Sequence, residues 1–133
     1  MGLDWNAPVD PSFPSFADGE TMALTNQPPD LLPGTLDMLI LRALTRGAMH
    51  GYGIAERLRQ VSEDVLQVGE SSLYPALQRL LLNGWVKAAW GASENNRRAR
   101  YYTLTAAGKK RLESERQEFQ KLVVAIQRVL EGA

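Results

Sequence analysis

The sequence predicts a mainly α-helical fold with one small β-hairpin and a long final helix. Two observations predict it. Apolar residues recur at helical spacing in three short segments between residues 35 and 83 and again, interrupted only at Glu115, from residue 106 to about 131. Between these, residues 85–104 change to a period of two and are rich in aromatic and β-branched side chains.

The bulk numbers narrow the field first. The 133-residue chain is 44% hydrophobic and 23% charged, ordinary values for a globular protein. It has no cysteine, which removes disulfides, thiolate metal sites and cysteine nucleophiles and agrees with a cytoplasmic location. Apolar runs are too short to cross a bilayer, and no basic region followed by an apolar run opens the chain, so neither a membrane span nor a secretory signal is expected.

The net charge of zero conceals an asymmetry. Residues 1–30 hold Asp4, Asp10, Asp18, Glu20 and Asp30 with no Lys or Arg, together with five of the seven prolines. They read as an acidic, Pro-rich, disordered tail, and Met22 is an alternative start of the native protein. All 15 Lys and Arg lie in the remainder, whose excess of positive charge suits a polyanionic partner.

The first helix follows Pro33-Gly34, with Thr35 as its cap, Leu36, Leu39, Ile40, Ala43 and Leu44 as its apolar face, and Gly47 as its stop. The second begins near Gly51 and presents Ile54, Leu58 and Val61 on one face. The third opens at residues 69–72, where Ser71 or Ser72 would cap it and Pro75 would fall where N–H groups are spare. Its stripe is Leu73, Leu77, Leu80 and Leu81, and Asn83-Gly84 stops it. Residues 85–90 and 100–104 then form a two-stranded hairpin around a polar, basic loop at residues 91–98. Thr105 caps the last helix.

Taken in order, these elements make a winged helix-turn-helix over residues 31–104 and a dimerisation helix over residues 105–133. A recognition helix offers its N-terminal, non-core face to base edges in the major groove. On the third helix that face carries Ser71, Ser72, Pro75, Gln78 and Arg79, with Tyr74 at its border. Arg reads guanine and Gln reads adenine, and free N–H groups at the helix start can hold a phosphate. Arg97, Arg98 and Arg100, in or just after the wing loop, are placed to grip the neighbouring backbone or minor groove. In the last helix Leu112, Phe119 and Ile126 recur every seven residues, with Leu122 and Val129 in the next seam position. A stripe of that length implies a second copy of the chain.

No catalytic site is expected. His50 is the only histidine, its neighbours are apolar or Gly, and it reads as a surface or helix-start residue; no metal or cofactor is implied. Gly47, Gly51 and Gly53 follow no strand in a βαβ setting, so they are not a nucleotide loop. The alternative to a DNA-binding regulator is a winged-helix module that contacts protein only.

Four strings in order carry a family resemblance: residues 36–41 (LDMLIL), 50–54 (HGYGI), 72–80 (SLYPALQRL) and 98–108 (RARYYTLTAAG). Across about residues 32–131 the chain resembles the PadR family of bacterial transcriptional regulators. The resemblance implies a winged helix-turn-helix homodimer that represses genes at an operator on double-stranded DNA. The single last helix is similar to the short subfamily, which dimerises through that helix. It also implies that Tyr74 stands at the start of the recognition helix. Some relatives stack flat aromatic drugs on a Trp between their last helices. The matching position here is Phe119, and no Trp follows Trp90, so that stack is missing while a small aromatic or hydrophobic effector at Phe119 stays open.

Overall fold

The computed structural model describes residues 34–132, so the acidic segment 1–30 lies outside the described residues. The chain runs α1 (Thr35–Ala43), a 3₁₀ turn (Leu44–Arg46), β1 (Met49–His50), α2 (Gly51–Val61), α3 (Glu70–Leu82), β2 (Val86–Ala92), β3 (Arg98–Leu104) and α4 (Ala106–Gly132). This is the winged helix-turn-helix with a long last helix that the pattern implied.

α1 is the hub. Leu36, Met38, Ile40, Leu41 and Ala43 are all buried, so the helix is apolar over most of its circumference and packs against α2, α3 and α4 at once. Its cap is not Thr35. Gly34 occupies that position in the left-handed region (φ 86°), a backbone Gly adopts without penalty, and Thr35 is the first helical residue. The helix then tightens into the 3₁₀ turn before Gly47, whose φ of 138° ends it.

Two helix ends use the same device for different reasons. After α3, the N–H of Gly84 (φ 74°) bonds the Leu81 carbonyl and the N–H of Trp85 bonds the Leu80 carbonyl, both at 3.0 Å. This is the paired closure that a left-handed residue permits, and Asn83-Gly84 signals it in sequence. After α2 the same pair of bonds runs from Glu63 to Gln60 and from Asp64 to Arg59, with Glu63 at φ 55°. No glycine marks this stop, and Val61, expected on the core face, is exposed beside it.

α3 begins earlier than its serines suggest. Gly69 is the cap, no side chain bonds the free N–H groups, and Ser71 and Ser72 lie inside the first turn. Pro75 therefore falls in the second turn, where it removes the helical bond to the Ser71 carbonyl. Leu73, Ala76, Leu77 and Leu80 are buried, while Leu81 is only half-buried.

The expected two-stranded hairpin is a three-stranded antiparallel sheet in the order β1-β3-β2. The added strand is two residues long, pairing Met49 with Tyr102 and His50 with Tyr101, too short to show a period. The hairpin strands are also longer than expected, which shrinks the connecting loop to residues 93–97 and places Arg98 and Arg100 on a strand. Tyr102 and Val86 anchor the sheet in the core. α4 starts where expected: the Thr105 hydroxyl accepts from the Gly108 N–H at 3.0 Å and donates to the Gly84 carbonyl at 2.7 Å.

Candidate nucleic-acid interface

α3 exposes Ser71, Ser72 and Pro75 near its N-terminus, with Tyr74 and Gln78 half-buried beside them. The opposite face is locked by Leu73, Leu77 and Leu80, each with no exposed surface, so the orientation of the presented face is fixed by core packing. The first turn also carries Glu70, whose carboxylate already complements the positive end of the helix dipole where a phosphate was expected.

Arg79 is engaged inside the chain. Its guanidinium forks onto Asp37 of α1, Nη2 to Oδ1 at 2.7 Å and Nε to Oδ2 at 3.1 Å. These bonds hold its pKa above the ordinary value. Arg79 thus ties the presented helix to the hub helix across 42 residues of sequence.

The wing is held at its tip by His50. The His50 Nδ1 accepts from the Gly53 N–H at 3.0 Å, capping α2, which leaves the ring proton on Nε2 to donate to Glu94 Oε1 at 3.1 Å. The Glu94 carboxyl lies below its ordinary pKa, held first by its own backbone N–H and then by His50. His50 is 5% exposed, so of the two expected roles the helix-start one holds, as the cap of α2, and the surface one does not; the same ring is also a latch on the wing. The loop closes through Ser93 N–H to Arg97 carbonyl at 2.7 Å, with Asn96 left-handed at φ 61°. The Tyr101 hydroxyl donates to the Ala92 carbonyl at 2.7 Å.

On the other face of this ribbon the strand register pairs Trp90 with Arg100 and Ala92 with Arg98. Arg98 lies over the Trp90 ring at 4.3 Å from its centroid and Arg100 at 5.9 Å. Arg97 and Arg98 are exposed and Arg100 is half-buried. Among the described residues no carboxylate pairs with any of the three, whereas Arg59, Arg79, Arg111, Arg116 and Lys121 all have one. Sequence reasoning singled out the arginines but not Trp90, because a shared face follows only once the register is known. Lys109, Lys110 and Arg111 open α4; of these Arg111 stacks on Trp85 at 4.5 Å and pairs with Glu115 at 2.9 Å.

The seam residues of α4 divide. Leu112 is 7% exposed and belongs to the core of its own chain, so it is not part of the uncovered stripe. Phe119, Leu122, Ile126 and Val129 are 37% to 65% exposed, with Leu130 beside them. Phe119 also lines an open groove of about 390 Å³ between α1 and α4, floored by Met38, Leu39 and Leu112 and rimmed by Arg42, Glu113 and Arg116. Among the described residues no three metal-ligating side chains come together, and no helix is long and apolar enough to cross a membrane.

The fold has counterparts among known proteins. A family model described as "Transcriptional regulator PadR-like family" matches residues 40–114. An uncharacterised protein of Lysinibacillus sphaericus is 28% identical over 103 residues, covering 77% of this chain and 94% of its own. A transcriptional regulator from Clostridium thermocellum has a similar structure, with 30% identity, a TM-score of 0.66, and coverage of 71% of this chain and 92% of its own. A PadR family transcription regulator from Clostridium difficile is similar at 31% identity and a TM-score of 0.62, over 73% of this chain and 99% of its own.

Proposed function

The chain belongs to the PadR-like family of transcriptional regulators, and from that membership we propose that it is a cytoplasmic, sequence-specific repressor that binds operator DNA as a homodimer. One observation carries the reading: the solvent-facing start of α3 is followed directly in the chain by a wing whose three arginines have no carboxylate partner among the described residues. Cations without an internal partner are available to release counterions from a polyanion.

In this reading Ser71, Ser72, Tyr74, Pro75 and Gln78 meet the major groove, and Arg97, Arg98 and Arg100 hold the flanking backbone. Arg79 keeps the reading helix in place through Asp37. The exposed stripe of α4 pairs with a second copy, which sets two α3 helices about one turn of DNA apart. A small hydrophobic effector in the groove at Phe119 would act by binding one spacing of the two readers better than the other.

The test is fluorescence anisotropy with a labelled duplex from upstream of the protein's own gene, across a salt series, with unrelated duplex in excess. Binding that survives the competitor supports a sequence-specific regulator, and the salt slope reports the phosphates contacted. Binding abolished by the competitor at every salt concentration would overturn operator recognition at that site. Absence of any duplex binding at low salt would instead leave a winged fold that contacts protein.

A further inference from the structure

We propose that Trp90 is a positioning residue of the DNA contact: its indole face holds the Arg98 guanidinium, with Arg100 beside it, ready to engage phosphates of the duplex backbone. The inference rests on the DNA-binding reading above and names how the wing achieves it.

Trp90 is 52% exposed, so its indole is open to solvent on the wing. The register places Trp90, Arg98 and Arg100 on one face of the β2–β3 ribbon, and Arg98 stacks 4.3 Å from the ring centroid. The second tryptophan in the described residues gives the contrast. Trp85 also carries an arginine, Arg111 at 4.5 Å, but Glu115 neutralises that cation at 2.9 Å. At Trp90 no carboxylate does so among the described residues, and the net result is two cations against an aromatic plate.

A guanidinium stacked by its face keeps its edge N–H groups free, and those edges fork onto phosphate oxygens. Stacking also removes rotamer freedom and some hydration before the encounter, so less is lost on binding. The wing loop supplies rigidity from the other face, where His50 holds Glu94 and Tyr101 holds Ala92. Arg97, exposed on the loop, has no such aromatic contact among the described residues.

The experiment compares full-length Trp90→Ala, Trp90→Leu, Trp90→Tyr, Arg98→Ala and the Trp90→Ala/Arg98→Ala double variant. Each is titrated with the upstream duplex and with unrelated duplex at low salt, and its thermal melt is recorded. With two wings per dimer, Trp90→Ala and Trp90→Leu are expected to weaken binding roughly five- to thirtyfold, from a cation–π contact at an exposed site. The salt slope should fall by about 0.9 for each phosphate lost. Trp90→Tyr keeps a π face and should stay near wild type, and Trp90→Ala should add little once Arg98 is gone. Trp90→Leu keeps apolar cover and separates a structural role from a positioning one. Wild-type affinity in Trp90→Leu, or independent losses from Trp90 and Arg98, would overturn the inference while leaving DNA binding intact. A wild-type chain that binds neither duplex would overturn both.

Discussion

The two halves of α4 carry one apolar stripe, broken at Glu115, yet the fold treats them oppositely. The near half is bolted to the domain. Thr105 caps it and bonds the Gly84 carbonyl, Gly108 passes so close to Trp85 that a Cβ would stand 2.0 Å from its carbonyl oxygen, and Leu112 joins the core. The far half is left largely uncovered among the described residues: Phe119, Leu122, Ile126 and Val129 keep 37% to 65% of their surface. A 27-residue helix extends about 40 Å at 1.5 Å per residue, farther than a domain of this size reaches. An apolar stripe specifies burial without specifying the partner; distance from the domain decides that.

Substitutions can break or sharpen this contrast. The largest effect is expected from Leu112→Ala, which opens a cavity in the core of the single chain and should cost about 2–5 kcal/mol of stability. A melting curve checks it, and an unchanged melt with a weakened dimer would place Leu112 in the interface after all. Ile126→Asp comes next. It should leave helix content intact and weaken self-association by about 2–4 kcal/mol summed over two copies, from apolar burial lost at a half-exposed site. Sedimentation velocity across a dilution series reads this directly, and a dimer that persists unchanged would mean that the stripe is not the seam.

Gly108→Ala tests the near end by addition in place of removal. The new methyl meets backbone, which cannot rotate away, so α4 must shift from Trp85 at a cost of about 1–3 kcal/mol. A melt as high as wild type would show that the close approach is slack. The smallest effect is expected at Arg79, about half exposed, whose ion pair with Asp37 contributes less than about 1 kcal/mol. Arg79→Ala should lower the melt slightly and leave the salt slope of DNA binding unchanged, whereas Arg98→Ala should reduce the slope. Equal slope changes at both positions would return Arg79 to the contact set.

The elements most legible in the sequence were those fixed by neighbours in the chain. The Asn83-Gly84 stop, the Thr105 cap and the change of period at residue 85 each follow from side chains within four residues. The cap of α3 misled because Ser71 and Ser72 have cap chemistry, while Gly69 has the extended backbone and Glu70 already continues the helix. β1 was invisible because two residues carry no period and gain strand geometry only by pairing with Tyr101 and Tyr102. His50 looked isolated because its partners are Gly53, three residues on, and Glu94, which the hairpin returns to it from 44 residues away.

The order of helices and hairpin, most turns and the apolar stripe on the last helix were already written in the amino-acid pattern. Backbone propensity, glycine conformation and hydrophobic period act over a few residues, so they are written locally. Only the tertiary structure decided which of those residues are spoken for. Arg79 is occupied by Asp37, Leu112 by the core, and Arg98 is set on Trp90 across the β2–β3 register with no carboxylate opposing it among the described residues. Ion pairing, burial and stacking depend on what arrives from a distant part of the chain, and that information exists only when the chain is folded.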